Sequence, residues 1–176
     1  MTTAAPRGIF MGSNVVGPTD KFGRRSRRFV VGSGESGTDR GRIERMPSAL
    51  IEVRREYSEP EEVALIDAVH GALVTAFQIP PQDRDVRLVV HAPHRFVCSP
   101  RLTQPEYFTL VTIDCFAGRS LNAKRTLYTE IVTNLKALDI PPDHVTILVR
   151  DNPTHNWGLQ GGHPASDLNL GFNINV

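Results

Sequence analysis

Cysteine, tryptophan and long apolar stretches are all scarce in this sequence. The 176 residues include two cysteines and one tryptophan. Two cysteines are too few for the disulfide framework of a small secreted protein, and Cys115, inside an apolar run, is typical of a buried free thiol. A membrane-spanning helix needs about 18 or more apolar residues in succession, which the sequence does not contain. We therefore expect a cytoplasmic protein that has no membrane partner.

The net charge is small as well, at +1, and gives no indication of a nucleic-acid partner. It is unevenly distributed, because residues 1–45 hold nine Lys/Arg and four Asp/Glu, whereas residues 46–176 hold eleven and fifteen. Residues 1–45 also hold eight of the fourteen glycines and have neither helical nor strand periodicity. The sequence thus predicts a disordered basic leader over residues 1–46 and one domain over residues 47–176.

Motifs for cofactors, metals and covalent catalysis are weak or absent in the sequence. Residues 32–37 match the glycine pattern of dinucleotide-binding loops, but no amphipathic helix follows them, so we predict no cofactor. His91 and His94, like His155 and His163, have no third ligand at a suitable spacing, so we predict no metal. No Gly-x-Ser-x-Gly motif or Cys/His pair points to a covalent hydrolase.

The domain contains an internal repeat of strand, helix and strand. In each copy a serine precedes the helix as a cap, Ser58 (with Glu61 three residues later) and then Ser120. Each helix is followed by Ile-Pro-Pro, and the two Ile-Pro-Pro segments are 61 residues apart. The flanking segments predict strands at residues 49–53, 86–90, 110–114 and 145–149. The apolar side of the first helix is expected to comprise Val63, Ile66, Val69 or Ala68, Leu73 and Phe77, and that of the second Leu121, Leu127, Ile131, Leu135 and Leu138.

The repeat determines the expected architecture, because a crossover helix of this length joins parallel strands with a right-handed connection. Two such units predict an α/β (α+β) fold in which a four-stranded sheet carries two helices on one face. The opposite face would then be apolar and open, which favours an oligomer. Alternation over residues 168–176 predicts a final strand that could pair with the sheet edge of a neighbouring subunit.

Four segments carry a resemblance to a known family. They are Met46-Pro47, Ile79-Pro80-Pro81-Gln82-Asp83-Arg84, Phe116-Ala117-Gly118-Arg119-Ser120 and Asn156-Trp157-Gly158. Together with the tandem repeat they make residues 47–176 resemble the tautomerase superfamily, in particular its malonate semialdehyde decarboxylase branch. The third segment is also similar to the Gly-Arg-Ser of 4-oxalocrotonate tautomerase. The resemblance implies a tautomerase/MIF-like fold, a homotrimer and a catalytic proline amine that is freed when the initiator methionine is removed.

Pro47 is the catalytic group that this resemblance implies. The secondary amine of an N-terminal proline, placed in an apolar pocket beside an arginine, has a lowered pKa and can act as a general base near neutral pH. A dominant carboxylate neighbour would instead keep the amine protonated, as a general acid. The alternative is a proline that simply begins a strand, where proline is tolerated.

Asp83, Arg119, Arg87 and Trp157 are the candidate partners of Pro47. The resemblance matches Asp83 to the branch's catalytic aspartate, although a turn aspartate that bonds its own backbone is common. Arg119, at a helix start, should bind a substrate carboxylate together with the helix N–H groups; the alternative is a surface arginine. Arg87 and Trp157 should line the pocket, or Trp157 should pack in the core. The decarboxylase branch has two arginines near this helix start, whereas this chain has Arg119 alone, which favours a general tautomerase-like site.

Two functions of different classes remain open. The first is an enzyme for keto–enol tautomerisation of a small 2-oxo or enol carboxylate, in which Pro47 carries the proton and Arg119 neutralises oxyanion charge. A decarboxylase, hydratase or dehalogenase is the variant within that class. The second is a non-catalytic trimeric scaffold, which follows if the leader stays attached, because the nitrogen of Pro47 is then an amide without a basic lone pair.

Overall fold

A computed structural model describes residues 47–170 and 173–176, so the predicted leader over residues 1–46 lies outside the described residues. The elements in this range are β1 (Ser48–Val53), α1 (Glu59–Phe77), β2 (Asp85–Val90), β3 (Thr109–Phe116), α2 (Leu121–Lys136), β4 (Val145–Asn152), β5 (Gly158–Leu159) and β6 (His163–Pro164). Single turns of 3-10 helix connect some of them. None of the helices in the described range combines the length and the apolar character that crossing a membrane requires.

The sheet has the strand order β2-β1-β3-β4. Strand β1 is parallel to β2, and β3 is parallel to β4, so each strand–helix–strand copy forms the parallel pair that the repeat predicts. The two copies meet through β1 and β3, which are antiparallel. The predicted fold class is therefore confirmed: two β-α-β units form one four-stranded sheet with both helices on one face.

The core lies between the helices and one face of the sheet. Alternate residues of the two central strands point into it, namely Ala49, Ile51 and Val53 of β1 and Val111, Ile113 and Cys115 of β3. The helices contribute Leu65, Val69, Ala72, Leu73 and Phe77 from α1 and Leu127, Ile131 and Leu135 from α2. The prediction was wrong for Val63 and Leu121, which are 48% and 60% exposed. Both lie near the N-terminal end of their helix, on the side that is exposed to solvent.

The helix ends are fixed by local side-chain and backbone contacts. Before α1, the carboxylate of Glu61 accepts hydrogen bonds from the backbone N–H and the hydroxyl of Ser58, both at 2.7 Å. Before α2, the hydroxyl of Ser120 accepts from the backbone N–H of Ala123 at 3.1 Å. Helix α1 ends at Phe77. The next residue, Gln78, has a φ of 53° in the left-handed region, which turns the chain towards the two prolines. The α1–β2 turn therefore follows the C-terminus of α1, whereas the β3–α2 turn precedes the N-terminus of α2.

The sheet face opposite the helices, which we call the open face, is less apolar than predicted. The strand register assigns to it an apolar set consisting of Leu50, Val89, Leu110 and Leu148. The same register adds the charged residues Glu52, Arg87, Asp114 and Arg150. The prediction of an apolar face was thus only partly right, because every strand of the sheet also contributes a charged side chain here.

The predicted C-terminal strand over residues 168–176 is absent from the described part of that segment. Residues 168–170 and 173–176 are not in a strand, and residues 171 and 172 lie outside the described range. The side chains of Leu170 and Ile174 instead pack on a small cluster around Phe116. Here the alternation reflects packing of one side of the segment on that cluster. Pairing of this segment with a second copy stays a prediction.

Candidate active site

The strand register brings the start of β1 next to two other parts of the chain. Ser48 pairs with Asp85 at the start of β2 and with Asp114 near the end of β3. Pro47 immediately precedes Ser48 and is buried. Because β1 and β2 run parallel and β3 runs antiparallel, the α1–β2 turn and the β3–α2 turn both reach the same end of the sheet as Pro47.

Asp83 comes from the first of these turns. Its backbone N–H donates to the carbonyl oxygen of Pro80 at 2.9 Å, which closes the turn. Its residue exposure is only 1%, whereas the neighbouring Arg84 is exposed and forms an ion pair with Asp67. A turn aspartate on the surface would keep its carboxylate in water. Asp83 is instead buried at the end of the sheet where Pro47 lies, and its catalytic role stays a prediction.

Arg119 comes from the second turn and is also buried, with 6% of its surface exposed. One guanidinium nitrogen, Nη1, donates to the carbonyl oxygens of Phe77 at 3.0 Å and Asn173 at 3.3 Å. The guanidinium carbon lies 4.9 Å from the centre of the Phe77 ring. Arg119 is therefore not a surface arginine.

The position of Phe77 explains how a cation is tolerated at the start of α2. Phe77 is the last residue of α1, so its carbonyl belongs to the negative end of that helix dipole. The C-terminus of α1 thus compensates for the unfavourable positive end of α2. Burial lowers the pKa of the Arg119 guanidinium from its ordinary value. An arginine guanidinium is not deprotonated in proteins, so the group stays cationic at neutral pH.

A cavity of about 300 Å³ lies beside these residues on the open face. It is lined by Ser48, Arg87, Asp114, Asn152, Asn156 and Trp157. Within it, Nη2 of Arg87 lies 3.3 Å from the hydroxyl of Ser48, and Nδ2 of Asn152 donates to the carboxylate of Asp114 at 3.4 Å. Both predicted substrate-binding residues, Arg87 and Trp157, therefore line this cavity.

The predicted residues thus form two groups rather than one. Arg87 and Trp157 line the cavity, whereas Pro47, Asp83 and Arg119 are buried at the same sheet end and do not line it. Ser48 connects the groups, since it lies in the cavity wall and directly follows Pro47 in the chain.

Trp157 has both of the roles that the sequence left open. Its indole lies edge-on to the ring of Phe116, with 5.6 Å between ring centres and an interplanar angle of 80°. The same side chain forms part of the cavity wall. It therefore joins the small C-terminal cluster to the cavity.

Four cavity residues were missed by the sequence reasoning: Ser48, Asp114, Asn152 and Asn156. A partial signal was present, because Asp114 is the single charged residue of β3 and Asn152 is the last residue of β4. Their convergence depends on the antiparallel pairing of β1 with β3, which the repeat does not specify. A sequence period locates strands along the chain but does not pair strands from different copies.

Cys115 is the buried cysteine among the described residues. Burial, followed by the nearby Asp151 carboxylate, raises the pKa of the Cys115 thiol to about 12, so the thiol stays protonated. Within residues 47–170 and 173–176, no group of three or more His, Cys, Asp and Glu side chains lies close enough to hold a metal ion.

Comparison with known proteins gives a consistent result. A family model described as tautomerase enzyme matches residues 83–160. A search of curated proteins finds no match. A structure of malonate semialdehyde decarboxylase is 24% identical with a TM-score of 0.61, and the match covers 69% of this chain and 98% of that chain.

Two further structures share the architecture. A wild-type fused 4-OT solved as an asymmetric trimer is 21% identical with a TM-score of 0.61, covering 68% of this chain and 97% of that chain. A member of the cis-3-chloroacrylic acid dehalogenase family is 20% identical with a TM-score of 0.58, covering 66% of this chain and 82% of that chain. Identities at this level establish a shared fold. The family model and the fold together confirm the resemblance of this chain to the tautomerase superfamily.

Proposed function

We propose that this chain is a cytoplasmic tautomerase that uses the secondary amine of Pro47 to move a proton within a small 2-oxo or enol carboxylate. One observation carries the proposal: Pro47, immediately before β1, is buried at the same end of the sheet as Asp83 and Arg119, which come from two separate turns. A base, a carboxylate and a cation in a site that excludes water are the groups that enolisation needs.

The proposed reaction follows from the chemistry of these groups. Burial disfavours the charged form of a free amine at Pro47, and the nearby Arg119 cation acts in the same direction, so the amine is neutral near pH 7. It accepts the proton of the substrate's enol hydroxyl and, as an ammonium, returns a proton to the adjacent carbon. The amine is then neutral again, and the enol has become a ketone. Arg119 binds the substrate carboxylate and stabilises the negative oxygen between the two transfers.

Asp83 has the supporting role in this proposal. Its buried carboxylate hydrogen-bonds the substrate or a water beside Pro47. If its negative charge outweighs Arg119, the amine stays protonated and begins the cycle as the acid. Arg87 and Trp157 then bind the part of the substrate that extends into the cavity.

The mechanism requires that the mature chain begins at Pro47. Translation from Met46 followed by methionine removal would produce such a chain, and so would cleavage of the leader. Intact mass of the protein from its native host decides between these and an uncut chain. A mature chain that starts at Met1 would exclude the enzyme mechanism and would favour the scaffold hypothesis.

Turnover of enol-phenylpyruvate tests the activity directly. We expect a chain that begins at Pro47 to accelerate ketonisation, measured as loss of the enol's ultraviolet absorbance, because the substrate combines an enol with a carboxylate. Malonate semialdehyde, assayed in parallel by release of carbon dioxide, is expected to react more slowly, since Arg119 stands without a second arginine at this helix start. Reversed rates would favour a decarboxylase, and no reaction with either compound would count against the enzyme hypothesis.

We propose further that the enzyme is a homotrimer whose copies cover one another's open faces. The fused 4-OT with the same fold is described as a trimer, and the open face includes exposed Val89 and Leu148. Light scattering should give three times the subunit mass. Leu148→Lys should lower that mass, because it places a charge in the contact, whereas Thr129→Lys on the exposed side of α2 should not. A monomeric wild-type chain would contradict the proposal.

A further inference from the structure

The last described residues, Asn173–Val176, lie across the start of α2, and we call them the C-terminal tail. A backbone oxygen of Val176 accepts a hydrogen bond from the backbone N–H of Ser120 at 2.6 Å. The carbonyl oxygen of Asn173 accepts from Nη1 of Arg119 at 3.3 Å. Two of the donors at the expected carboxylate site therefore hold the tail.

Gly118 shows that the tail approaches this turn closely. Its φ of +125° is a conformation that side chains disfavour. A Cβ added there would lie 2.9 Å from Oδ1 of Asn175 and 3.1 Å from the carbonyl oxygen of Ile174. The Gly118-Arg119-Ser120 turn can therefore hold the tail only because its first residue lacks a side chain.

The tail offers Arg119 a weaker acceptor than a substrate carboxylate would. The oxygen of Asn173 is a neutral peptide carbonyl, whereas hydrogen bonds to a carboxylate are charge-assisted and about twice as strong. An anionic ligand that reaches Arg119 should thus compete successfully with the tail.

We propose that the C-terminal tail is a cover that occupies the carboxylate site and is displaced when an anionic substrate binds. The inference rests on the proposed role of Arg119 in binding a carboxylate, and it adds regulation of access to that site. With the tail docked, Arg119 is almost completely buried, so a substrate reaches its guanidinium only after the tail has moved. A tail that is docked about nine-tenths of the time would weaken ligand binding about tenfold.

The fluorescence of Trp157 reports whether the C-terminal tail is docked. This residue is the single tryptophan of the chain, and it packs in the same cluster as Ile174 of the tail. Acrylamide quenching of its fluorescence is therefore measured in the chain that begins at Pro47, with sodium oxalate as the probe. Oxalate carries carboxylates but has no enol to convert. Sodium chloride at equal ionic strength is the control for screening.

Oxalate should increase quenching of the wild-type chain in a saturable way. Gly118→Ala, which forces a methyl group into the tail, should be strongly quenched without oxalate and should bind oxalate about tenfold more tightly. Ile174→Asp tests the same point from the tail side and replaces Gly118→Ala if that variant does not fold. Gly71→Ala is the matched control, because a Cβ there meets no atom within 4 Å.

The outcomes separate the cover from the enzyme. Quenching that oxalate leaves unchanged, together with wild-type oxalate affinity in the folded variants, would overturn the cover whether or not the chain turns over enol-phenylpyruvate. An oxalate-dependent rise in quenching in a chain without turnover would support the cover and refute the proposed reaction.

Discussion

Turnover of enol-phenylpyruvate should fall about 10²–10⁴-fold when Met46 is retained in front of Pro47. The two chains differ by one residue, yet they differ in the nitrogen that the mechanism uses. In the chain that begins at Pro47 the nitrogen is a basic secondary amine. In the longer chain it is an amide, whose lone pair is delocalised into the carbonyl and cannot accept a proton. The expected loss is the usual contribution of one general acid–base group.

Pro47→Ala in the shorter chain provides a second comparison. An N-terminal alanine keeps a primary amine at nearly the same place but lacks the ring that fixes its direction. We expect turnover between that of the wild type and that of the Met46-retained chain. Circular dichroism should show the same fold for all three, because Pro47 precedes β1 and contributes no strand hydrogen bond.

The pH dependence distinguishes loss of the amine from loss of structure. For the chain that begins at Pro47, kcat/KM should rise with pH as the ammonium loses its proton, if the neutral amine is the base. The Met46-retained chain should lack this limb, because its nitrogen does not titrate. Equal turnover and equal pH profiles for both chains would refute the role of Pro47, and the site would then need another base.

The sequence predicted the fold well because the signals for the fold are local. The serine caps, the helical spacing of apolar residues and the two Ile-Pro-Pro stops act over a few residues, and their repetition specifies two β-α-β units. The pairing of β1 with β3 is different. It joins Ser48 to Asp114, 66 positions further along the chain, and no local pattern encodes which central strands meet.

The candidate site was predicted in part for the same reason. Pro47, Asp83 and Arg119 could be named because each stands in a short motif. Their surroundings could not, since the carbonyl groups that hold Arg119 belong to Phe77 and Asn173, 42 and 54 residues away. The alternation in the last residues was interpreted as a strand because a segment that packs one side on a small cluster has the same period of two.

Arg119→Gln should lower kcat/KM for enol-phenylpyruvate roughly 10²–10³-fold, the usual loss when one stabilising donor to an oxyanion is removed. Glutamine is neutral and shorter, so the variant lacks both the charge and the reach of the guanidinium. Arg119→Lys keeps the charge but replaces a planar fork by a single ammonium, so it should recover only part of the loss. Stopped-flow absorbance of the enol measures each rate.

A structural role of Arg119 must be separated from this chemical role, because its guanidinium also connects the end of α1 to the C-terminal tail. The methyl ester of enol-phenylpyruvate makes the distinction, since it has the enol but no carboxylate. If Arg119 binds the carboxylate, the ester is a poor substrate for the wild type, and Arg119→Gln reduces its turnover far less than that of the acid. Equal losses with both substrates would mean that Arg119 acts on the enol oxygen or maintains the fold, and a changed circular dichroism spectrum of Arg119→Gln would identify the structural role.

Arg84→Gln is the matched control for this comparison. Arg84 directly follows Asp83, but its side chain is exposed and forms an ion pair with Asp67 on the surface. Exposed ion pairs contribute little to stability, so the variant should keep wild-type rates with both substrates. A loss in Arg84→Gln as large as that in Arg119→Gln would mean that the rate follows the overall positive charge of this end of the sheet. If Arg119→Gln alone loses more activity with the acid than with the ester, the substrate carboxylate binds at the start of α2.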